Sequence, residues 1–205
     1  MLIPLNQLVK QHKISRGTRV IHVGAHEAQE APAYKQAGFS PVIWIEGNES
    51  IAEGLIDKIK SPDIVINAVL SNEIGEADFN ITSFDQSSSL LPFGTHSKHF
   101  PEIVVDRVVK VNTLTLDCVA EEFDLIGYEF LNLDVQGAEW LVLEGGKETL
   151  SHVRYLYAEV NKDEQYMDCM VIGEFDNYVG QLGFKRENLK WSGKGFGDAF
   201  YVRQP

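Results

Sequence analysis

The sequence predicts an α/β protein with a doubly wound, mostly parallel sheet and helices on both faces. Short apolar runs alternate with helix-like segments along most of the chain. Two of those runs, 64–69 and 153–160, are nearly continuous in apolar residues, as parallel strands covered on both faces require. The last two strand-like runs are joined by a glycine-rich link, Ser192 to Gly197, short enough for a hairpin, which makes the final pair antiparallel.

Residues 4–13 form a short amphipathic helix, with Leu5, Leu8 and Val9 at helical spacing. The strand 19–23 runs straight into Gly24, a helix follows over 27–37, and Gly38 stops it. A second strand covers 41–46, a helix 49–59, and Ser61-Pro62 turns the chain into a third strand, 64–69. The middle is different: shorter strands at 76–83 and 104–112 flank a polar stretch, Asp85 to Phe100. Unstructured connections of that length in compact domains are usually functional or mobile. Alternation then resumes with a helix at 114–123, a strand at 129–134, a helix at 137–149, a strand at 153–160 and a helix at 166–182. Strands at 184–191 and 198–203 close the chain.

A length of 205 residues predicts one domain, 1–205, with 1–17 as an N-terminal helical extension. Thirty acidic against eighteen basic side chains give a net charge of -12, which repels phosphate backbones and argues against nucleic acid as a partner. No apolar run approaches the roughly 18 residues that span a bilayer. The first residues lack a secretory signal pattern, and Cys118 and Cys169 form neither a CxxC nor a ligand cluster. Together these predict a soluble, cytoplasmic protein.

Chemistry concentrates where strands end. Gly24, Ala25, His26 and Glu27 form the first strand-to-helix turn, and in open α/β sheets ligands bind at the carboxyl ends of strands. Glu46 ends the next strand, at a spacing suited to the ribose hydroxyls of a nucleoside cofactor. Only the first glycine of a GxGxxG is present, and a plain turn with a solvated Glu46 is the competing account. Asp134 ends another strand, either as a cap for the next helix or as a functional carboxylate, whereas Glu139 reads as a first-turn carboxylate favoured by the helix dipole. Glu159 ends an otherwise apolar strand and must be paired or open to a cleft. Asp134 and Glu159 would suit proton removal or a hard metal ion. Ser88, Ser89, His96 and His99 in the polar stretch are candidates for holding a substrate, without the ligand spacing of a zinc site. His22, inside a strand, reads as a core histidine, and Lys194 as part of a hairpin loop.

These segments resemble the FkbM family of S-adenosylmethionine-dependent methyltransferases. The matching stretches are Val20 to His26, Ser87 to Leu90, Val111 to Asp117, and the most specific, Leu133 to Glu139 followed by Leu143-Glu144-Gly145-Gly146. The resemblance runs from about residue 18 to 203 and implies the seven-stranded, Rossmann-like class I methyltransferase sheet. It also implies that turn 24–27 holds the methionine part of the cofactor, Glu46 the ribose, and Asn67-Ala68 the adenine. The acceptor it implies is a hydroxyl group, often on a sugar or a glycosylated small molecule; because an alcohol is a poor nucleophile until its proton is taken, Asp134 or Glu159 is expected to act as the general base. His22 stands where the family has an acidic residue, and Ala28 where it has a second glycine. Those two departures favour a rival reading, a non-catalytic binding protein on the same fold. A nicotinamide-dependent oxidoreductase shares the first turn and its acidic partner, but the incomplete glycine pattern and terminal hairpin weigh against it.

Overall fold

The computed structural model describes residues 1–205. Along the chain run α1 (Leu5–His12), β1 (Val20–Val23), α2 (Ala31–Ala37), β2 (Val42–Glu46), α3 (Glu49–Lys58), β3 (Ile64–Asn67), β4 (Val69–Leu70), β5 (Gly75–Thr82), α4 (His96–His99) and β6 (Val105–Leu114). They are followed by α5 (Leu116–Glu122), β7 (Phe130–Leu133), α6 (Glu139–Glu144), α7 (Lys147–Leu150), β8 (Tyr155–Asn161), α8 (Ile172–Gln181), β9 (Phe184–Trp191) and β10 (Phe196–Arg203).

A seven-stranded sheet has the order β3-β2-β1-β7-β8-β10-β9. The strands from β3 to β8 are parallel, and β10 lies antiparallel between β8 and β9. The expected fold class is therefore the observed one. Alternate residues of the central strands enter different cores. Ile21, Val23, Ile43, Ile45, Leu131 and Leu133 pack with apolar residues of α5, α6, α7 and α8. On the other face Val20, Val42, Trp44 and Phe130 pack with Leu5, Leu8, Tyr34 and Leu55 of α1, α2 and α3. Each such side chain, fully removed from water, contributes about 1.5–3 kcal/mol. No helix is long and apolar enough to cross a membrane.

Several boundaries differ from the sequence reading. The helix expected at 27–37 starts only at Ala31, because His26 (φ 43) and Ala28 (φ 56) turn the chain first. The apolar run 64–69 is divided between two sheets at Ala68, and β3 is an edge strand whose Ile64 and Val65 are only half-buried. Its valine and isoleucine reflect preference for a pleated surface, not burial on both faces. The helix expected at 137–149 breaks at Gly145-Gly146 into α6 and α7, and the one expected at 166–182 begins at Ile172.

The middle of the chain builds a second sheet, of order β4-β6-β5, beside the first. The polar stretch from Asp85 to Phe100 is not a free loop. Its backbone is tied to the segment before α8 by bonds from Gly94 N and His96 N to Gln165 O (2.7 and 3.0 Å), Thr95 N to Glu164 O (2.8 Å) and Met167 N to Pro92 O (2.8 Å). Those bonds hold it as a wall over the carboxyl ends of the parallel strands.

Candidate active site

The register of the parallel strands builds one rung of special residues. Ile45, Val23, Leu133 and Ala158 lie side by side across β2, β1, β7 and β8. The next residue of each strand path is Glu46, Gly24, Asp134 and Glu159. All four therefore meet at one rim, where they line a cavity of about 500 Å³.

Gly24 sits at φ 81, and a Cβ added to it would lie 1.8 Å from the carbonyl oxygen of Asp134. No side chain fits between these two strand ends, so the turn passes close to β7 only because the residue is glycine. Glu46 is buried, with each carboxylate oxygen accepting a backbone bond: Oε2 from His26 N and Oε1 from Asn48 N, both at 2.7 Å. Burial raises its pKa, and the backbone donors, Asn48 and His26, oppose the rise. A carboxylate held this way keeps lone pairs free for a ligand's hydroxyl groups.

Asp134 follows the last residue of β7, and Glu159 lies on the neighbouring strand just past the pairing of β7 with β8. Glu159 does not end its strand as expected, because β8 continues to Asn161 by pairing with β10. Asp134 is open to the cavity but enclosed by protein on its other sides. Burial, then the negative charge of Asp198, raises its pKa to about 6. The pKa of Glu159 is raised as well, first by burial and then by Asp134. Gln136 Nε2 reaches both, at 2.7 Å from Asp134 Oδ1 and 3.3 Å from Glu159 Oε1. Glu139 lies beneath them, buried, accepting from Val135 N (3.0 Å) and Gly137 N (3.3 Å). It closes the turn into α6, as its sequence position suggested. Burial pushes its pKa up to about 7.

Of the other sequence candidates, the cavity brings in His26, Ala68, Ser88 and His96. Ala25, Glu27, Asn67, Ser89 and His99 are not part of its lining. Ala25 is buried and its N–H bonds Ile45 O at 3.0 Å; Glu27 points to solvent. Asn67 Nδ2 donates to the Glu46 carbonyl at 2.8 Å, so it braces the strand end from outside. Ser89 Oγ donates to the backbone carbonyl of Gln136 at 2.8 Å, and His99 pairs with Asp163 at 3.1 Å. His96 is buried against Phe93, its ring stacked at 4.1 Å, and its Nδ1 has no hydrogen-bond partner. His22 is the expected core histidine: it lies over Trp44, shares Tyr34 and Asn132 as polar partners, and is held neutral by burial, with a pKa lowered to about 4. Ala28, standing where the family has glycine, occupies a left-handed conformation that glycine adopts without cost.

Sequence reasoning missed Glu30, Gln136 and Tyr166, all in the lining. Gln136 stood inside the most specific motif, but only the turn at φ 56 returns its side chain over the strand ends. Tyr166 was assigned to a helix that starts later. The carboxylate pair does not fit a divalent cation. Such ions take about six or more oxygens, no cluster of three or more His, Cys, Asp or Glu is present, and amide hydrogens already bridge the pair. A bulky organic cation fits better: the cavity is lined by Glu30, Glu46, Asp85, Asp134 and Glu159, and it combines apolar walls with this negative charge.

A rim of carboxylates on a seven-stranded sheet of this order, ending in an antiparallel hairpin, has the fold of a methyltransferase-like class. The chain belongs to the FkbM methyltransferase family: the family's "Methyltransferase FkbM domain" matches residues 22–186. Over 116 residues it is 29% identical to the "2-O-methyltransferase NoeI" of Sinorhizobium fredii (strain NBRC 101917 / NGR234), a match that takes in 55% of this chain and 48% of the relative. The chain thus spans about half the length of that curated relative. Its fold is similar to a SAM-dependent methyltransferase from Aquifex aeolicus, with a TM-score of 0.56, 13% identity, and 99% and 91% of the two chains covered. It is also similar to magnesium protoporphyrin IX methyltransferase from Synechocystis PCC 6803 with bound SAM, with a TM-score of 0.53, 10% identity, and 98% and 76% covered.

Proposed function

We propose that this protein is an S-adenosylmethionine-dependent O-methyltransferase whose acceptor is a hydroxyl group of a sugar or of a glycosylated small molecule. The observation that carries the reading is the rung of Glu46, Gly24, Asp134 and Glu159 opening into one acidic cavity. Membership of the FkbM family supports the reaction type. The Sinorhizobium relative is named a 2-O-methyltransferase, which supports oxygen as the methyl acceptor.

When bound, the cofactor supplies an electrophilic methyl group on a cationic sulfur. Glu46 accepts from the ribose hydroxyls, the turn at Gly24 and His26 borders the methionine end, and Ala68 borders the adenine. The surrounding carboxylates favour a cationic ligand through charge, in a cleft whose apolar walls weaken screening. Asp134 or Glu159 takes the acceptor's proton as the new bond forms. An alcohol is a weak nucleophile until that proton leaves, and a carboxylate with a pKa near 6 is a stronger base than an ordinary one while remaining ionised at neutral pH. Ser88 and His96 would hold and orient the acceptor's hydroxyl from the opposite wall.

The test is calorimetric titration with S-adenosylmethionine and with NAD, followed by mass spectrometry of candidate glycans for a gain of one methyl group. Binding of the first ligand alone, with turnover lost in Asp134→Asn or Glu159→Gln while cofactor affinity stays within about threefold, is the expected result. Binding of NAD alone makes the chain an oxidoreductase; binding of neither makes it a scaffold.

A further inference from the structure

We infer that Gln136 is a positioning residue: its single amide, oriented by Tyr166, clamps the Asp134 and Glu159 carboxylates side by side in the place where a bridging cation would otherwise stand. The inference rests on the proposed reading of this rim for its catalytic meaning, but the clamp itself is a matter of geometry. Gln136 Nε2 carries two hydrogens, and two carboxylate oxygens lie at 2.7 and 3.3 Å to receive them. Gln136 Oε1 accepts from the Tyr166 hydroxyl at 2.7 Å. Ionised carboxylates only accept hydrogen bonds, so turning the amide over would set its oxygen against two acceptors. Tyr166 is buried, its ring lies 5.4 Å from that of His96, and its hydroxyl also approaches the carbonyl of Ser87 at 3.4 Å. The backbone of Gln136 is fixed too, with φ 56 and its carbonyl accepting from Ser89 Oγ at 2.8 Å. The side-chain nitrogen, the side-chain oxygen and the backbone carbonyl of the residue are thus each held by a partner.

The clamp has a job. Two carboxylates on adjacent strands repel, and the nearby charges make matters worse: Glu30 from the turn before α2, Glu139 from α6 and Asp198 from β10 are all acidic. Among the groups acting most strongly on Asp134 one is positive, the amino nitrogen of Met1, and it pairs with Glu30 at 3.0 Å. Without a donor between them, one of the pair would keep its proton to higher pH and cease to be a base. A neutral amide supplies that donor without competing for protons and without adding a charge.

The experiment compares wild type with Gln136→Leu, Gln136→Glu and Tyr166→Phe. The carboxyl carbons are labelled with ¹³C and titrated by NMR, with Asp134→Asn and Glu159→Gln giving the assignments, and each folded variant is titrated with MgCl₂ by calorimetry. In Gln136→Leu the upper apparent pKa of the pair should rise by about one pH unit, a tenfold gain in proton affinity. Tyr166→Phe, which frees the amide without removing it, should give a smaller rise in the same direction. Gln136→Glu completes a three-carboxylate cluster and should bind Mg²⁺ at least tenfold more tightly than wild type. A residue that merely filled space would lower the melting temperature and leave the titration where it was; that outcome, or Mg²⁺ binding by wild type as tight as by Gln136→Glu, overturns the clamp. Should Gln136→Leu fail to fold, Tyr166→Phe alone decides. None of these readouts involves methyl transfer, so loss of the proposed function and loss of the clamp are told apart.

Discussion

The two walls of the cavity are made in different ways. On the sheet side, Glu46, Gly24 and Asp134 are fixed by the backbone: strand register aligns them, His26 N and Asn48 N hold the Glu46 carboxylate, and Asp134 N bonds the carbonyl of Val23 at 3.0 Å. On the other side, Phe84, His96, Phe100 and Phe196 present side chains from the segment between β5 and β6 and from the terminal hairpin. These pack on one another, with His96 tilted against Phe100 at 5.0 Å and Phe100 against Phe196 at 6.3 Å. Phe84 is 51% exposed. A wall set by backbone geometry tolerates almost no substitution and suits a ligand that never changes. A wall of side chains can be repacked by substitution without moving the strands.

The contrast breaks most visibly at Gly24. An alanine there must accept a left-handed conformation and a Cβ 1.8 Å from the Asp134 carbonyl, so β1 and β7 have to part. Gly24→Ala should lose about 4 kcal/mol of stability in urea denaturation, and the heat of S-adenosylmethionine binding should vanish. Retention of both would mean that the strand ends do not approach as described.

A middle-sized effect sharpens the comparison on the sheet side, where position comes at the expense of stability. The pKa of Asp134 is raised to about 6 in the folded chain. Across roughly pH 4–6 the folded protein therefore binds this proton more readily than the unfolded one, and stability falls as the pH climbs through that window. Above it the penalty is complete. Asp134→Asn removes the penalty, so the inactive variant should be more stable than wild type by roughly 1 kcal/mol at pH 8, after discounting for solvent in the open cavity, and by only about a third as much at about pH 4.5. Urea melts at the two values measure this. An advantage of equal size at both would place its origin outside Asp134's titration. Activity should run the opposite way, falling as the pH drops through about 6 and the base takes up its proton.

The sheet-side wall was largely legible in the sequence, and the reason is physical. A buried parallel strand announces itself as an apolar run, and its carboxyl end is near where that run stops, so the pattern alone puts Gly24, Glu46, Asp134 and Glu159 at one rim. The opposite wall was not legible to that depth. Gln136 reaches the carboxylates because of a left-handed turn, and Tyr166 reaches Gln136 because the helix starts at Ile172; neither follows from periodicity. Nor did the pattern show that β5 and β6 leave the main sheet and join β4 in another. Both outcomes depend on partners distant in the chain, which local pattern does not encode.

The smallest effect separates two histidines that the sequence treated alike. Three residues apart in one short helix, His96 and His99 point to different partners. His96 is among the residues lining the cavity, its buried Nδ1 has no partner, and burial first, then the neighbouring His99, lowers its pKa, so the ring stays neutral. His99 Nε2 instead meets Asp163 Oδ2 at 3.1 Å beside the terminal hairpin, where a Cβ on Gly195 would come within 3.0 Å of that ring. His96→Phe keeps the stacking and removes the polar atom, and should raise the acceptor KM about tenfold while leaving cofactor affinity alone. His99→Phe breaks a half-exposed pair of the kind usually worth under about 1 kcal/mol, and should change the acceptor KM less than twofold. Equal losses in the two variants would show that the whole helix, and not the one imidazole facing the cavity, holds the acceptor.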